Sequence, residues 1–372
     1  MIYIHQRHDW PNFTWSHAEL LTRLGTVRHL QGKLLGKMSA LGFLLRKEAE
    51  LETLTQEVLK STEIEGEFLN PDQVRSSIAR RLGMDISGLP PTDRHVEGVV
   101  EMMLDATQQN EKTLTVDRLF DWHAALFPTG RSGMHQIAVG AWRDDSTGPM
   151  QVVSGGMGRE RIHFQAPGAA KLDKEMDTFL AWFNRYDDTD PVLKAAVAHL
   201  WFVTIHPFDD GNGRMARAIA DMQLARADGS SQLFYSMSAQ IRLERNQYYE
   251  ILEQTQKGDL DITAWLVWFL DCLTSTLTAT DHTLARVLAK AHFWEINRTT
   301  AFNERQHRMI NRLFDGFEGK LNTSKWAKMA KCSADTALRD IQDLMDKGVL
   351  RKEAAGGRST SYVLAGEGLM QF

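Results

Sequence analysis

Two cysteines in 372 residues, Cys272 and Cys332, exclude a disulfide-stapled scaffold, and they stand too far apart for a zinc-binding spacing. That poverty fits a reducing compartment, and a cytoplasmic protein is expected. The opening MIYIHQRHDW lacks the apolar stretch of a signal peptide. No apolar run reaches the roughly 20 residues that a membrane-spanning helix needs. The strongest candidate, ITAWLVWFLDCL, is interrupted by Asp271 and reads as a buried core helix, so no membrane partner is expected. An excess of one charge is also missing. The 43 Lys and Arg face 48 Asp and Glu, and a net charge of −5 carries no general nucleic-acid or membrane signal. Neither a fixed-period repeat nor a low-complexity tract occurs. What is there is an ordinary globular balance, 43% hydrophobic and 24% charged, with length for two or three domains and a sizeable core.

The patterning is mainly helical. In RKEAELETLTQEVLKSTEIEGE the apolar Leu51, Leu54 and Val58 fall at helical spacing, and Gly66 is placed to stop the helix. FLNPDQVRSSIARRLG follows, with Asn70 as cap, Pro71 at the first helical position and Gly83 at the end. ISGLPPTD, residues 86–93, is a break, after which HVEGVVEMMLDA and VDRLFDWHAALF resume helical spacing. Glycine is dense from Gly130 to Gly168, and the β-like runs MQVVS and RIHFQ around GGMGRE predict a hairpin. Helices return in LDKEMDTFLAWFNRY, in the strongly apolar PVLKAAVAHLWFVTI and inside GNGRMARAIADMQLA. From residue 301 on, twelve Lys and Arg face nine Asp and Glu, a local balance of +3 that marks a separate module. The expected regions are 1–45, an extra helical region with Trp10, Phe13 and Trp15 that wraps the core; 46–295, the main helical domain; and 296–372, the module.

HPFDDGNGR, His206 to Arg214, concentrates the reactive groups. His206 ends an apolar helix just before Pro207, which disfavours helical geometry at the residue preceding it. An imidazole there has a pKa suited to a general base, although a lone histidine more often only hydrogen-bonds. Asp209 and Asp210 can cap the next helix or offer hard oxygen to Mg²⁺ beside a phosphate. Gly211, Asn212 and Gly213 put free backbone N–H groups at a helix start, where anions bind. Arg214 and Arg217, at i and i+3, share a helix face and suit bidentate phosphate binding. The loop has no Walker A pattern, G-x-x-x-x-G-K-[ST], and no dinucleotide fingerprint. Together the residues predict metal-assisted chemistry on a polyphosphate.

HPFDDGNGRMAR matches every position of H-x-F-x-[DE]-G-N-G-R-x-x-R, and on it the chain resembles the Fic family over roughly residues 50 to 290. The resemblance implies an all-helical bundle with a β-hairpin flap and a protein adenylyltransferase. AMP would pass from ATP to a hydroxyl side chain of a target protein, autoAMPylation included, and pyrophosphate would leave. By position, His206 resembles the base, Asp210 the Mg²⁺ ligand, and Gly211, Asn212, Gly213 and Arg214 the groups on the α- and β-phosphates. Arg217 would hold the γ-phosphate, and Phe208 would pack inward. The hairpin from Met150 to Gln165, with Val152, Val153, Ile162 and Phe164, resembles the flap that docks a target segment by strand addition; the residues alone also allow a mere structural excursion. Tyr248 or Tyr249, in RNQYYEIL, would lie near adenine, with Tyr249 as the named candidate. A homodimer is plausible from the family. Members that move other phosphate-containing groups, or remove AMP, leave those reactions open.

STEIEG, Ser61 to Gly66, reads by itself as a polar last helical turn, with Ser61 and Glu65 on one face. It also resembles the family's inhibitory helix signature, [ST]-x-x-x-E-[GN]. The resemblance implies that Glu65 pairs with Arg217 and holds the site off, with Ser61 and Gly66 completing the signature. The tail resembles a winged helix-turn-helix, with Ser333 capping its second helix and GGRSTSYVL as the wing. Lys325, Lys331, Arg339 and Arg358 are candidate DNA contacts. Such modules also serve dimerisation or protein docking, and a transcription regulator with a nucleotide-sensing core is the alternative reading.

Overall fold

Asn70 accepts hydrogen bonds from the backbone N–H groups of Asp72 and Gln73 at 3.0 and 3.2 Å, and Pro71 opens the helix that runs to Arg81. Local chemistry of this kind sets most helix starts. Asp93, Thr115 and Ser236 cap three more helices through their side-chain oxygens. The computed structural model describes residues 2–84, 90–146, 148–155, 161–314, 317, 319–353 and 360–365. Its helices are α1 (His17–Ser39), α2 (Phe43–Ile64), α3 (Pro71–Arg81), α4 (Arg94–Gln108), α5 (Val116–Leu126), α6 (Leu172–Asn184) and α7 (Pro191–Ile205). They continue with α8 (Asn212–Asp228), α9 (Met237–Leu243), α10 (Arg245–Gln256), α11 (Thr263–Ile296), α12 (Glu304–Phe314), α13 (Thr323–Ala330) and α14 (Ala334–Asp346). The strands form three antiparallel pairs, β1 (Arg131–Ser132) with β2 (His135–Gln136), β3 (Gln151–Ser154) with β4 (Arg161–Gln165), and β5 (Leu350–Lys352) with β6 (Tyr362–Leu364). The chain is therefore mainly helical, as the patterning predicts.

The chain divides into two compact units, one of residues 1–42 with 46–280 and the other of residues 43–45 with 281–372. The expected boundary at 45/46 falls in the first turn of α2, and that at 295/296 in the last turn of α11.

In the first unit, α7 is buried at every residue after Pro191 and is the central helix. Burial of its Leu, Val, Phe and Trp side chains contributes on the order of 1.5–3 kcal/mol each. An apolar helix with no polar face has to be surrounded. Here α8 packs along it, with α6 on another side. Gly98 lets α4 meet α5, since a Cβ there would run into the Ala125 carbonyl. The N-terminal segment straps the unit together. His5 Nε2–H donates to the Gln165 carbonyl at 2.8 Å, Trp10 Nε1–H to Glu175 at 2.8 Å, and Thr14 exchanges backbone bonds with Leu260 and Ile262.

The second unit has its own core of Phe293, Ile310, Trp326, Ile341, Leu344 and Tyr362. Asn322 caps α13, Lys331 ends it at φ 51°, and Ser333 caps α14 through the Thr336 N–H. Asp340 of α14 accepts two hydrogen bonds from Arg305 at 2.8 and 3.0 Å. The β5–β6 hairpin follows.

Candidate functional site

Residues 206–211 join α7 to α8, and the chain fixes each with a specific partner. Pro207 cannot follow a helical residue without strain. His206 accordingly leaves the helix at φ 52°, a left-handed C-cap whose N–H still bonds to Phe202 O. Its Nδ1 lies 3.1 Å from the Val203 carbonyl. A carbonyl only accepts, so the proton sits on Nδ1 and the lone pair on Nε2. Burial lowers the His206 pKa, which keeps the ring neutral near pH 7. Phe208 is fully buried, stacked on His123 at 4.2 Å with Trp142 at 5.0 Å. Asn212 closes the loop on itself: its Oδ1 accepts from Phe208 N–H at 3.0 Å and its Nδ2 donates to Phe208 O at 2.8 Å. The Asn212 side chain is thus spent on the loop, and only its backbone N–H remains for an anion.

Asp210 accepts from the Ser132 hydroxyl through Oδ2 and from Gly211 N–H through Oδ1 at 2.6 Å. Asp209 turns away and accepts from Ala138 N–H at 2.9 Å. Among the described residues no cluster of three or more His, Cys, Asp or Glu is suited to a metal. A single carboxylate such as Asp210 can hold a hard cation only together with phosphate oxygens and water. Gly211 sits at φ 83°, and a Cβ there would stand 2.9 Å from the Phe127 ring.

Arg217 is 2% exposed and is held from α2. Its Nε donates to Ser61 Oγ at 2.9 Å, and its Nη2 donates to Ser61 O at 2.8 Å and to Glu65 Oε1 at 2.9 Å. A Cβ on Gly213 would strike that Glu65 oxygen, so the glycine lets a carboxylate reach the start of α8. Burial opposes the Arg217 charge, and Glu65 beside it more than offsets this, so its pKa is raised. Gly66, at φ 85°, ends α2 just past Glu65. Arg214 is 4% exposed, lies over the Phe127 ring at 5.1 Å, and pairs with Glu67 at 2.8 Å. Arg214 Nε and Arg217 Nη1 are buried and have no partner among the described residues. Asp210, Arg214 and Glu65 line a cavity of about 490 Å³ with Glu67, His95 and Phe127.

The structure thus brings His206, Asp210, Gly211, Asn212, Gly213, Arg214 and Arg217 together with Ser61, Glu65 and Gly66. Tyr248 is core: its hydroxyl bonds to His199 at 2.9 Å. Tyr249 reaches Glu65 Oε2 at 3.4 Å, beneath Arg245 at 4.9 Å. On the hairpin, Val153 and Ile162 are exposed and Val152 is half-buried. Phe164 does not face a target, because it is 1% exposed and packs edge-on against Tyr3 at 5.1 Å. Of the module's cations, Lys331 and Arg339 are exposed, whereas the Lys325 ammonium is drawn over the Phe317 ring at 4.3 Å. Arg358 lies outside the described residues.

Besides His95, which lines the cavity, three further site residues escaped the sequence reading. Arg143, buried, donates through Nε to His206 O at 2.7 Å and through Nη2 to Pro167 O at 2.5 Å, while its Nη1 meets Asp145 at 3.1 Å. It ties the base of the hairpin to the His206 loop. His123 donates through Nε2 to Asp210 O at 3.2 Å, and burial lowers its pKa to about 4. Glu253 of α10 binds Arg161 at 2.9 Å and His163 at 2.6 Å, which fixes β4 in place.

Residues 113–224 match the family model described as Fic/DOC family, and residues 3–84 match one described as a domain of unknown function (DUF4172). The chain is 29% identical over 238 residues to the Protein adenylyltransferase Fic of Aedes aegypti, and equally to that of Culex quinquefasciatus. Each alignment covers 62% of this chain and 42% of the relative, so the chain spans less than half the length of the curated relatives it matches. A solved Fic family protein from Desulfovibrio desulfuricans G20 superposes with a TM-score of 0.53 at 19% identity, over 96% of this chain and 99% of that one. A Fic domain containing signaling protein from Bacteroides thetaiotaomicron gives 0.50 at 19% identity, over 72% and 97%. These two likenesses speak to the fold alone. Residues 113–224, which carry HPFDDGNGRMAR, therefore form a Fic/DOC domain.

Proposed function

We propose that this chain is a protein adenylyltransferase held off by its own helix α2. One observation carries the reading: a neutral imidazole with its lone pair on Nε2, within electrostatic reach of Asp210 and Glu65, stands near the start of α8 with two buried arginines whose Nε or Nη1 has no partner among the described residues. ATP would lie in the cavity with its phosphates on the N–H groups of Gly211 to Gly213 and on Arg214 and Arg217. His206 Nε2 takes the proton of the target hydroxyl. The hydroxyl oxygen bonds to the α-phosphorus, the bond from that phosphorus to the bridging oxygen breaks, and pyrophosphate leaves with the electron pair. Asp210 would hold Mg²⁺ beside the phosphates, and the ion would supply charge neutralisation. The exposed edge of β3–β4, near Val153 and Ile162, suits strand addition by a target segment. Tyr249, beside Glu65, is a candidate for the adenine side. Glu65 occupies the arginine that the γ-phosphate needs and repels the triphosphate.

His206→Ala tests the assignment. It should abolish AMP transfer while ATP binding stays within about twofold, since the ring acts on the hydroxyl rather than on the nucleotide. Transfer at a substantial fraction of the parent rate would remove His206 from the base role.

The order helix, helix-turn-helix, hairpin in residues 304–364 supports a winged-helix module, with exposed Arg339 and Lys331 as its candidate contacts to duplex phosphate. It adds a docking function and does not replace the catalytic reading.

A further inference from the structure

We propose that Arg214 and His95 together form a phosphate subsite of the nucleotide cavity, and that Glu67 fills this subsite in the resting chain. The inference rests on the reading of the cavity as a nucleotide site.

The carboxylate of Glu67 is divided between two fixed partners. Its Oε2 lies 2.8 Å from Arg214 Nη1 and its Oε1 2.6 Å from His95 Nε2. Hydrogen bonding across the imidazole contact raises the His95 pKa and lowers that of Glu67, which favours the ion pair. Both partners are anchored. Arg214 is buried on α8 over the Phe127 ring. His95 stands in the first turn of α4, two positions after its cap Asp93, and α4 is pinned against α5 by the close approach at Gly98. Glu67 is the movable member. It follows Gly66 in the segment between α2 and α3, its side chain is 40% exposed, and its neighbour Phe68 is 74% exposed. Two rigid donors that share one loop-borne acid describe an anion site occupied by an internal anion.

The position fits a phosphate. Glu67, His95 and Arg214 line the same cavity as Asp210 and Ser132, so an anion there lies on the side of the carboxylate assigned to the metal. Arg214 keeps one buried N–H without a partner among the described residues, and a tetrahedral phosphate offers more acceptor oxygens than a carboxylate does. Two acids two positions apart, Glu65 and Glu67, thus cover the two arginines of the motif. Removing Glu65 frees Arg217 and leaves Arg214 covered, so a chain carrying Glu65→Gly alone is only partly open. A nucleotide has to displace Glu67, and it then gains His95 as a ligand that the motif does not contain.

Calorimetric titrations of the full chain with ATP and with adenosine test this. In a Glu65→Gly background, Glu67→Gln should tighten ATP by about tenfold, the scale of one charge-assisted contact regained, and leave adenosine unchanged. Adding His95→Ala should give back most of that gain. Glu67→Gln is nearly isosteric at a part-exposed position, so folding is preserved, and melting curves check it. Unchanged ATP affinity in the double variant, equal tightening of adenosine, or indifference to His95→Ala would each overturn the subsite while leaving the nucleotide reading intact. No ATP binding by Glu65→Gly itself would overturn the nucleotide reading, and the subsite with it.

Discussion

Which nitrogen of His206 carries the proton follows from a single contact, the 3.1 Å approach of Nδ1 to a carbonyl. The residues that make it possible are small in number: Pro207 ends the helix, Phe208 anchors the loop, and Asn212 ties the loop to itself. Arg143 does the same from outside, through His206 O and Pro167 O. It touches no reacting atom, so it is a positioning residue. Arg143→Ala should lower kcat for AMP transfer by about 10²-fold, the scale of a misplacement near 1 Å, with the KM for ATP little changed. Equal loss in kcat and in ATP affinity would show that the substitution unfolds the site. His206, Asp210, Arg214 and Arg217 were legible in the sequence because the motif is contiguous. Arg143, His123 and His95 were not, because each reaches the loop from a distant segment and no local spacing encodes that.

At the scale of elements, α2 and α8 meet along a ladder of i, i+4 positions. Ser61 of α2 and its C-cap Glu65 face Arg217 and Gly213 of α8, and one step further Glu57 faces Asp221. Both of these acids are buried, and Glu57 Oε1 and Asp221 Oδ2 have no other partner among the described residues. Two buried carboxyls hydrogen-bond only if they share a proton. Burial, and then Glu57, raise the Asp221 pKa, while Arg217 acts the other way; the buried Tyr235 also faces it. A raised folded pKa means that the stability is present below the unfolded value, about 4, and is lost as pH rises through the folded one. Asp221→Asn should therefore flatten the decline of Tm with rising pH and keep α2 on α8. A variant whose Tm falls with pH as steeply as the parent's would refute the shared proton. The helices themselves were legible from Leu51, Leu54, Val58 and the caps. Their pairing was legible only at Glu65 and Arg217, where a motif named both ends; Glu57 and Asp221 look like ordinary solvated acids until the helices are packed.

At the scale of the molecule, the first unit is closed by a strap that the sequence left unassigned. Tyr3 and His5 pack on Phe164, and His5 holds Gln165 O, so residues 3–5 brace the inner face of the hairpin whose outer residues, Val153 and Ile162, are exposed. That bracing explains why Phe164 faces inward although the family resemblance grouped it with the flap residues. The aromatic-rich opening could be read as a wrapping region from composition, but not as a brace for β4, because a contact across 160 residues has no local signature. Glu65 and Arg217 likewise stand 152 residues apart, and under the proposed function their contact is the point of control. The most direct measurement is AMP incorporation into lysate proteins from ATP labelled at the α-phosphate, by the parent chain and by Glu65→Gly at equal concentration. The account predicts faint labelling by the parent and a rise of about tenfold or more in the variant, since one buried ion pair no longer competes with the γ-phosphate. Equal or weaker labelling by Glu65→Gly would contradict it.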